Sequence, residues 1–326
     1  MLKAKEHLKN KKNLLAFSAG GDSSALFFLL LEEKIPFDIA IVDYGLREQS
    51  KEEVLYAQEL ANTYSLKCYT LQAPKIEQNF EANARKIRYD FFEELIGKYS
   101  YENLLTAHHL GDRFEWMLMQ FCKGAGCVEL SGMQSIEKRD TYTLIRPLLG
   151  VDKNELLEYL KHHKHHYFED ASNSDEKYKR NTFRKRHAMP LLLQYKEGIQ
   201  KSFEYLDEDV NELAKKLPLF NIKEFAYFRA SNKRSNILTL DAYFKSLGKL
   251  LSAQERELLK LEKSVVIGRK YIVQQREDFV FVAPFIEVTM KKEFKEKMRL
   301  LKIEPKLRGY ISQEKEVQEL LSSLLS

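Results

Sequence analysis

Leu14-Leu15-Ala16-Phe17-Ser18-Ala19-Gly20-Gly21-Asp22-Ser23, followed by Ala25-Leu26-Phe27-Phe28-Leu29-Leu30-Leu31, sets a short apolar run, a small-residue turn and a second apolar run in succession. The order predicts a strand, a tight loop and a helix. Small residues let backbone N–H groups approach an anion closely, and the following helix start adds its partial positive charge, so Ser18, Ala19, Gly20, Gly21, Asp22 and Ser23 form a candidate phosphate-binding loop. The usual nucleotide loop ends in Gly-Lys-Ser/Thr; this one has no lysine and carries Asp22, which argues against a Walker-type ATPase. An ordinary turn with Asp22 or Ser23 as helix cap is the alternative reading of the loop in isolation.

The pattern repeats outward from this unit. Apolar runs at Phe37 to Val42, Leu66 to Leu71 and Asn103 to Ala107 alternate with helical patterns, one around Val54 to Ala61 and one over Phe80 to Tyr99. Strands alternating with long helices predict an α/β fold, a doubly wound parallel sheet covered on both faces, with ligands beyond the carboxyl ends of the strands. Charged amphipathic helices follow at Phe203 to Leu217 and Ala253 to Glu262. Val265-Val266-Ile267, Tyr271-Ile272-Val273 and Phe279-Val280-Phe281-Val282 then read as a small antiparallel sheet. The chain of 326 residues is therefore expected to hold two domains, 1–200 and a smaller C-terminal α+β domain, 201–326.

Composition bounds the class. Hydrophobic residues make up 44% and charged residues 31%, enough for a substantial core. The sequence has neither a membrane-spanning apolar run nor a secretory start, and a cytoplasmic location is expected, without membrane partners. Three cysteines, Cys68, Cys122 and Cys127, do not make a disulfide framework and are expected to be small buried side chains. Residues 1–176 hold 22 Lys and Arg against 28 Asp and Glu, and the remainder holds 31 against 20, so the net charges are −6 and +11. A basic half beside an acidic half suggests a polyanionic partner, with a solvated lysine-rich surface as the alternative.

Several ordered motifs extend the first loop. Ser18-Ala19-Gly20-Gly21-Asp22-Ser23 resembles the pyrophosphate loop of the N-type ATP pyrophosphatases, and Val42-Asp43-Tyr44-Gly45-Leu46-Arg47-Glu48-Gln49-Ser50 resembles the Val-Asp-His-Gly-Leu-Arg-x-x-Ser segment of tRNA(Ile)-lysidine synthases. Glu81-Ala82-Asn83-Ala84-Arg85-Lys86-Ile87-Arg88-Tyr89, Thr106-Ala107-His108-His109-Leu110-Gly111-Asp112, Arg146-Pro147-Leu148-Leu149, Glu169-Asp170-Ala171-Ser172-Asn173 and Arg180-Asn181-Thr182-Phe183-Arg184 follow in the family order, over residues 13–195. Three positions depart from the family pattern: Ala19 replaces the first glycine, Tyr44 a histidine and Trp116 a threonine.

The resemblance implies a reaction in which ATP adenylates the wobble cytidine of the isoleucine tRNA with a CAU anticodon and free L-lysine then displaces AMP. Val42, Asp43 and Tyr44 are implied to hold adenine, with ATP and Mg²⁺ as cofactors and Asp22 and Asp43 as metal ligands. Arg85 and Arg88, three apart on a helix, are candidates for phosphate contact; ion pairs with Glu81 or Glu93 are the alternative. His108, Asp112 and Glu115, at i, i+4 and i+7, would lie along one helix face, where carboxylates suit lysine's ammonium and its deprotonation. Asp22, Arg85, Arg88, His108, Asp112 and Glu115 are thus the candidate catalytic set.

Lys177 to His187 contains six Lys or Arg and no acid. Arg180, Asn181, Arg184, Lys185 and Arg186 are candidates for tRNA contact, against a reading in which Arg180 and Arg184 pair with Glu169 and Asp170. The C-terminal domain is expected to help grip tRNA, and a homodimer is left open. His162-His163-Lys164-His165-His166 lacks a zinc-ligand pattern and reads as a surface helix end. The rival classes are another N-type ATP pyrophosphatase, such as a thiolating enzyme, and a catalytically silent tRNA-binding protein. The Cys-x-x-Cys pair of iron–sulfur-dependent thiolation is absent from the sequence.

Overall fold

A computed structural model describes residues 2–45, 49–169, 182–213 and 217–325. The chain divides into two compact units, Met1–Glu208 and Asp209–Ser326.

In the first unit, strands β1 (Asn13–Ala16), β2 (Phe37–Asp43), β3 (Cys68–Gln72), β4 (Asn103–Leu105), β5 (Ile136–Lys138) and β6 (Thr143–Ile145) form one sheet in the order β3-β2-β1-β4-β6-β5. All neighbours are parallel except β5, which runs antiparallel to β6. Helices α1 (Gly21–Glu32), α2 (Gln49–Thr63) and α3 (Phe80–Tyr99) make the crossovers.

Side chains alternate along a strand, and β1 uses both faces. Leu15 packs with Leu26, Phe27, Leu30 and Ile39, whereas Leu14 packs with Ala40, Phe92, Leu95, Ile96 and Leu104. Both residues are fully buried, which accounts for the unbroken apolar run of this strand. The chain winds from β1 out to β3 and then crosses back to β4 on the other side. The switch point therefore falls between β1 and β4, where a crevice opens beyond the strand ends.

The second unit contains strands β7 (Phe220–Ile222), β8 (Phe225–Arg229), β9 (Ser264–Ile267), β10 (Tyr271–Gln275) and β11 (Phe279–Pro284), in the antiparallel order β7-β8-β11-β10-β9. One sheet face packs Ala226, Phe228, Val280 and Val282 with Ile237, Leu240 and Phe244 of the helix Lys233–Ser246. The opposite face packs Phe225, Ile272, Phe281 and Ala283 with Met298, Leu307, Ile311, Val317 and Leu321. Leu320, Leu321 and Leu325, close to the end of the chain, thus face a core. β7 and β8 were not legible in advance because Phe220 to Arg229 lacks a sustained alternation of apolar and polar residues.

Two expectations are corrected. Cys122 is exposed and Cys68 and Cys127 are only half-buried, because all three stand at the ends of elements: Cys122 just past the helix Leu110–Phe121, Cys68 at the start of β3 and Cys127 at the start of the helix Cys127–Ser131. The amphipathic helix expected from Phe203 begins earlier, within a helix over Met189–Leu213, whereas the one expected from Ala253 spans Ala253–Leu261. The five-residue histidine-rich segment begins where the helix Lys153–His162 ends. His165 stacks on Phe28 with ring centroids 3.5 Å apart, and burial, then the neighbouring His163, lowers its pKa.

Candidate active site

The phosphate loop is held by its own short side chains and by a distant strap. Ser23 Oγ accepts from the Ser18 N–H at 3.2 Å and donates to the Gly20 carbonyl at 3.1 Å, while Ser24 Oγ donates to the Ala19 carbonyl at 3.3 Å. From the strap, Phe168 N–H donates to the Ala19 carbonyl at 2.9 Å, and Gly20 and Phe168 form an isolated parallel bridge. Ala19 has φ +56°, in the left-handed region that favours glycine, and its methyl group is fully buried. An L-residue there carries about 1–2 kcal/mol of backbone strain, which the serine and Phe168 hydrogen bonds hold in place.

Gly21 is needed for close approach. A Cβ at this position would lie 2.9 Å from Leu157 Cδ2 and 3.4 Å from Tyr167 Cδ2. Gly21→Val is expected to lose about 1–3 kcal/mol of stability by overpacking and to weaken ATP binding as the strap is displaced. Thermal unfolding with and without ATP checks both effects.

Asp22 stands in the first turn of α1, where the helix dipole favours a carboxylate. Its Oδ2 lies 3.8 Å from both His109 Nε2 and Lys153 Nζ. Its Oδ1 is buried and has no hydrogen-bond partner among the described residues. An orphaned carboxylate oxygen in a native site marks a functional position, because leaving a charged acceptor unsatisfied costs about 1–3 kcal/mol or more.

His109, rather than His108, faces the carboxylates. Helix α4 spans Leu110–Phe121, so His108 precedes it and the expected i, i+4, i+7 alignment does not exist. His108 Nδ1 is instead 2.9 Å from Thr106 Oγ1. His109 caps α4: its Nδ1 accepts from the Gly111 N–H at 3.0 Å, and Asp112 accepts from the His109 N–H at 3.1 Å. An accepting Nδ1 places the proton of the neutral ring on Nε2, assigned here from the hydrogen-bond pattern. Nε2 lies 3.6 Å from Asp112 and 3.8 Å from Asp22, so the imidazole links the loop after β1 to the helix after β4. A polar residue followed three positions later by an acid is the capping-box spacing, and it was the signal available for His109.

Arg184 changes the reading of the basic segment. It begins a π-helical turn, Arg184–Ala188, and its guanidinium engages both Glu115 oxygens and lies 3.5 Å from Asp112 Oδ1. Expected on the tRNA-facing surface, it turns inward instead, because α4 brings buried Glu115, 2% exposed, against it. Burial lowers the Arg184 pKa, but the Glu115 hydrogen bond and the charges of Glu115, Asp112 and Asp22 outweigh it and raise the group above its ordinary value. Lys185 and Arg186 are exposed in the same turn. Arg180 and Asn181 lie outside the described residues.

Arg85 and Arg88 are exposed on α3, and among the described residues neither forms an ion pair with Glu81 or Glu93. Arg85 packs over the Tyr89 ring at 4.6 Å, and Glu93 accepts from Tyr142 at 3.1 Å. Tyr44 donates to the Ala84 carbonyl at 3.0 Å, which ties the loop after β2 to the same helix. Burial raises the Tyr44 pKa and the nearby Arg88 charge opposes the rise. Val42 is half-buried and pairs with Leu71, and Asp43 accepts from the Gly45 N–H at 2.7 Å. Among the described residues there is no cluster of three or more histidine, cysteine or acidic side chains able to hold a metal ion.

His109 and Lys153, the two neighbours of Asp22, line a cavity of about 270 Å³. Its wall carries the acids Glu115, Asp152, Glu155 and Glu158, the cations Lys153, Arg184 and Lys196, and the apolar Met189 and Leu192; Glu115 is paired with Arg184 and Glu155 with Lys196 at 2.8 Å.

A strand–loop–helix phosphate cradle at the switch point of a parallel sheet, with carboxylates beyond the strand ends, defines an ATP-utilising PP-loop protein, and a PP-loop domain family model matches residues 1–191. The tRNA(Ile)-lysidine synthase of Helicobacter pylori strain J99 is 44% identical over 93% of this chain and 89% of its own length. That of Wolinella succinogenes is 44% identical over 95% of each chain. The chain belongs to the tRNA(Ile)-lysidine synthase family. A U34-tRNA thiolase structure from Methanococcus maripaludis shares the fold, with a TM-score of 0.52 and 18% identity over 64% of this chain and 76% of that one. No helix among the described residues is long and apolar enough to cross a membrane.

Proposed function

We propose that this chain joins L-lysine to C2 of the wobble cytidine of the isoleucine tRNA with a CAU anticodon, using ATP and releasing AMP and pyrophosphate. The cytidine C2 oxygen attacks the α-phosphorus of ATP and the bond to pyrophosphate breaks. The backbone N–H groups of the loop, at the start of α1, offset the charge gathering on the leaving pyrophosphate. A deprotonated lysine amine then attacks C2, the C2–O bond breaks, and AMP leaves with the bonding electrons. The amine proton passes to a carboxylate, for which Asp112 and Glu115, both beside Arg184, are the candidates.

The observation that carries this reading is the Asp22–His109–Asp112 arrangement at the ends of β1 and β4, with one Asp22 oxygen left without a partner among the described residues. In the neighbouring cavity Glu115 and Glu155 are already paired with Arg184 and Lys196, which leaves Asp152 and Glu158 beside Met189 and Leu192 to meet a cation on an aliphatic stem such as lysine. Asp22 also fits Mg²⁺, since a buried unpaired carboxylate oxygen is a hard ligand; Asp43 would offer a second. When bound, the ion would neutralise triphosphate charge. Arg85 and Arg88 are assigned to phosphate, and Lys185 and Arg186, with the second unit, to gripping tRNA. Incubation with ATP, Mg²⁺, labelled lysine and unmodified tRNA should yield lysidine at the wobble position, and absence of labelled lysine from isoleucine tRNA would refute the proposal.

A further inference from the structure

The chain has a single tryptophan, Trp116, on the helix that supplies Asp112 and Glu115. It remains 46% exposed, although indole is the side chain with most to gain from burial. Nor is it a stray surface residue, because its ring rests on Gly132. A Cβ at Gly132 would lie 2.6 Å from Trp116 Cδ1, and this glycine has φ +65°. The indole is thus seated from one side while much of its surface stays open to solvent.

Its surroundings select the occupant. Asp112 and Trp116 are four apart on a regular helix, so they share a side of α4 about one turn, or 5.4 Å, from one another. Phe121, 64% exposed, ends the same helix. The basic turn Arg184–Ala188 lies against the same helix through Arg184 and Glu115, with Lys185 and Arg186 exposed beyond it. An open aromatic face on a helix that also packs against a basic turn suits a single-stranded polyanion whose bases carry π-faces, and that chemistry is RNA with an unstacked base.

We infer that Trp116 is a stacking platform for an unpaired anticodon-loop base beside the reacting cytidine. The inference rests on the proposed tRNA reaction and adds to it a binding residue outside the phosphate loop and the carboxylate set. Threonine at this position, as in the family pattern, has no π-face to offer.

Because Trp116 is the only tryptophan, its fluorescence reports on the platform directly. Titrating the full-length protein with an unmodified anticodon stem-loop RNA should quench it, whereas a duplex of equal charge should not. Trp116→Ala should raise the KM for tRNA about 5- to 100-fold, the range of one base stack, with the KM for ATP and the melting temperature unchanged. Trp116→Phe should recover most of the loss. Unchanged fluorescence with an RNA that the wild-type protein modifies, or a Trp116→Ala KM within about twofold of wild type, would overturn the inference. Lysine transfer by wild-type protein in the same samples tests the reaction separately: failure there removes the functional reading, while quenching still decides whether the indole stacks on RNA.

Discussion

Asp22→Asn is expected to reduce lysine transfer by about 10²–10³-fold, the loss typical when one preorganised electrostatic group is removed, while the melting temperature moves by only a few degrees. The two effects separate because of how the carboxylate is held. One oxygen has no hydrogen-bond partner among the described residues, and the other is 3.8 Å from His109 and Lys153, beyond direct hydrogen-bond range. The folded state therefore draws little from this side chain except its charge in the first turn of α1, worth about 0.3–1 kcal/mol. Asparagine keeps the size, removes that charge and turns an NH₂ toward the cationic side of the site. Single-turnover lysine incorporation and thermal unfolding give the two numbers. Wild-type turnover in the variant, or a large drop in stability with activity preserved, would show that Asp22 is a structural cap.

Arg113→Ala is expected to do the reverse, unfolding the first unit more easily. Arg113 is 5% exposed, and its Nη1 donates to Asp207 Oδ2 at 3.0 Å while its Nη2 donates to Asp207 Oδ1. Its Nε donates to the Ser131 carbonyl at 3.0 Å, and the guanidinium lies 4.3 Å over the Phe203 ring. Ser131 Oγ also donates to Asp207, at 2.8 Å. Removing the arginine strands Asp207 and the Ser131 carbonyl and opens space against Phe203. Breaking a buried pair from one side costs about 3–5 kcal/mol, and the lower end applies because the Asp207 side chain keeps 30% exposure. That corresponds to a fall in melting temperature of about 6–12 °C for a unit of this size. Replacing both partners by apolar residues, Arg113→Met with Asp207→Leu, should recover much of the loss, since no charge is left without a partner. Equal destabilisation by the single and double variants would rule out the ion pair as the cause. Arg113 follows Asp112 directly, so a weakened anchor should also broaden the placement of Asp112 and lower turnover.

The legible part of this protein was what neighbouring residues settle among themselves. The alternation of apolar runs with long helical patterns fixed the parallel sheet, because a strand buried on both faces must be apolar throughout, as Leu14 and Leu15 are. The Ser18 to Ser23 loop was readable because anion binding needs small residues between a strand and a helix. α3 matched its expected span, Phe80–Tyr99, since its periodicity is long and uninterrupted. Strands β5 and β6, of three residues each, left no such period to read.

The site was harder because its chemistry depends on approach between distant segments. His108 and His109 are adjacent and alike in type; the start of α4 at Leu110 decides which one turns toward Asp22. Arg184 belongs to a run of six basic residues that looks uniformly solvated, and burial of Glu115 on α4 draws that one inward. Asp22 appears as a helix-start acid, and its place in the site emerges only when β1 and β4 lie side by side and bring His109 to 3.8 Å. Local propensity and hydrophobic period thus specify the elements and the phosphate loop, since each needs only residues a few positions apart. Which charges meet, which are neutralised and which stay open depends on packing across about 160 residues of sequence, from Asp22 to Arg184.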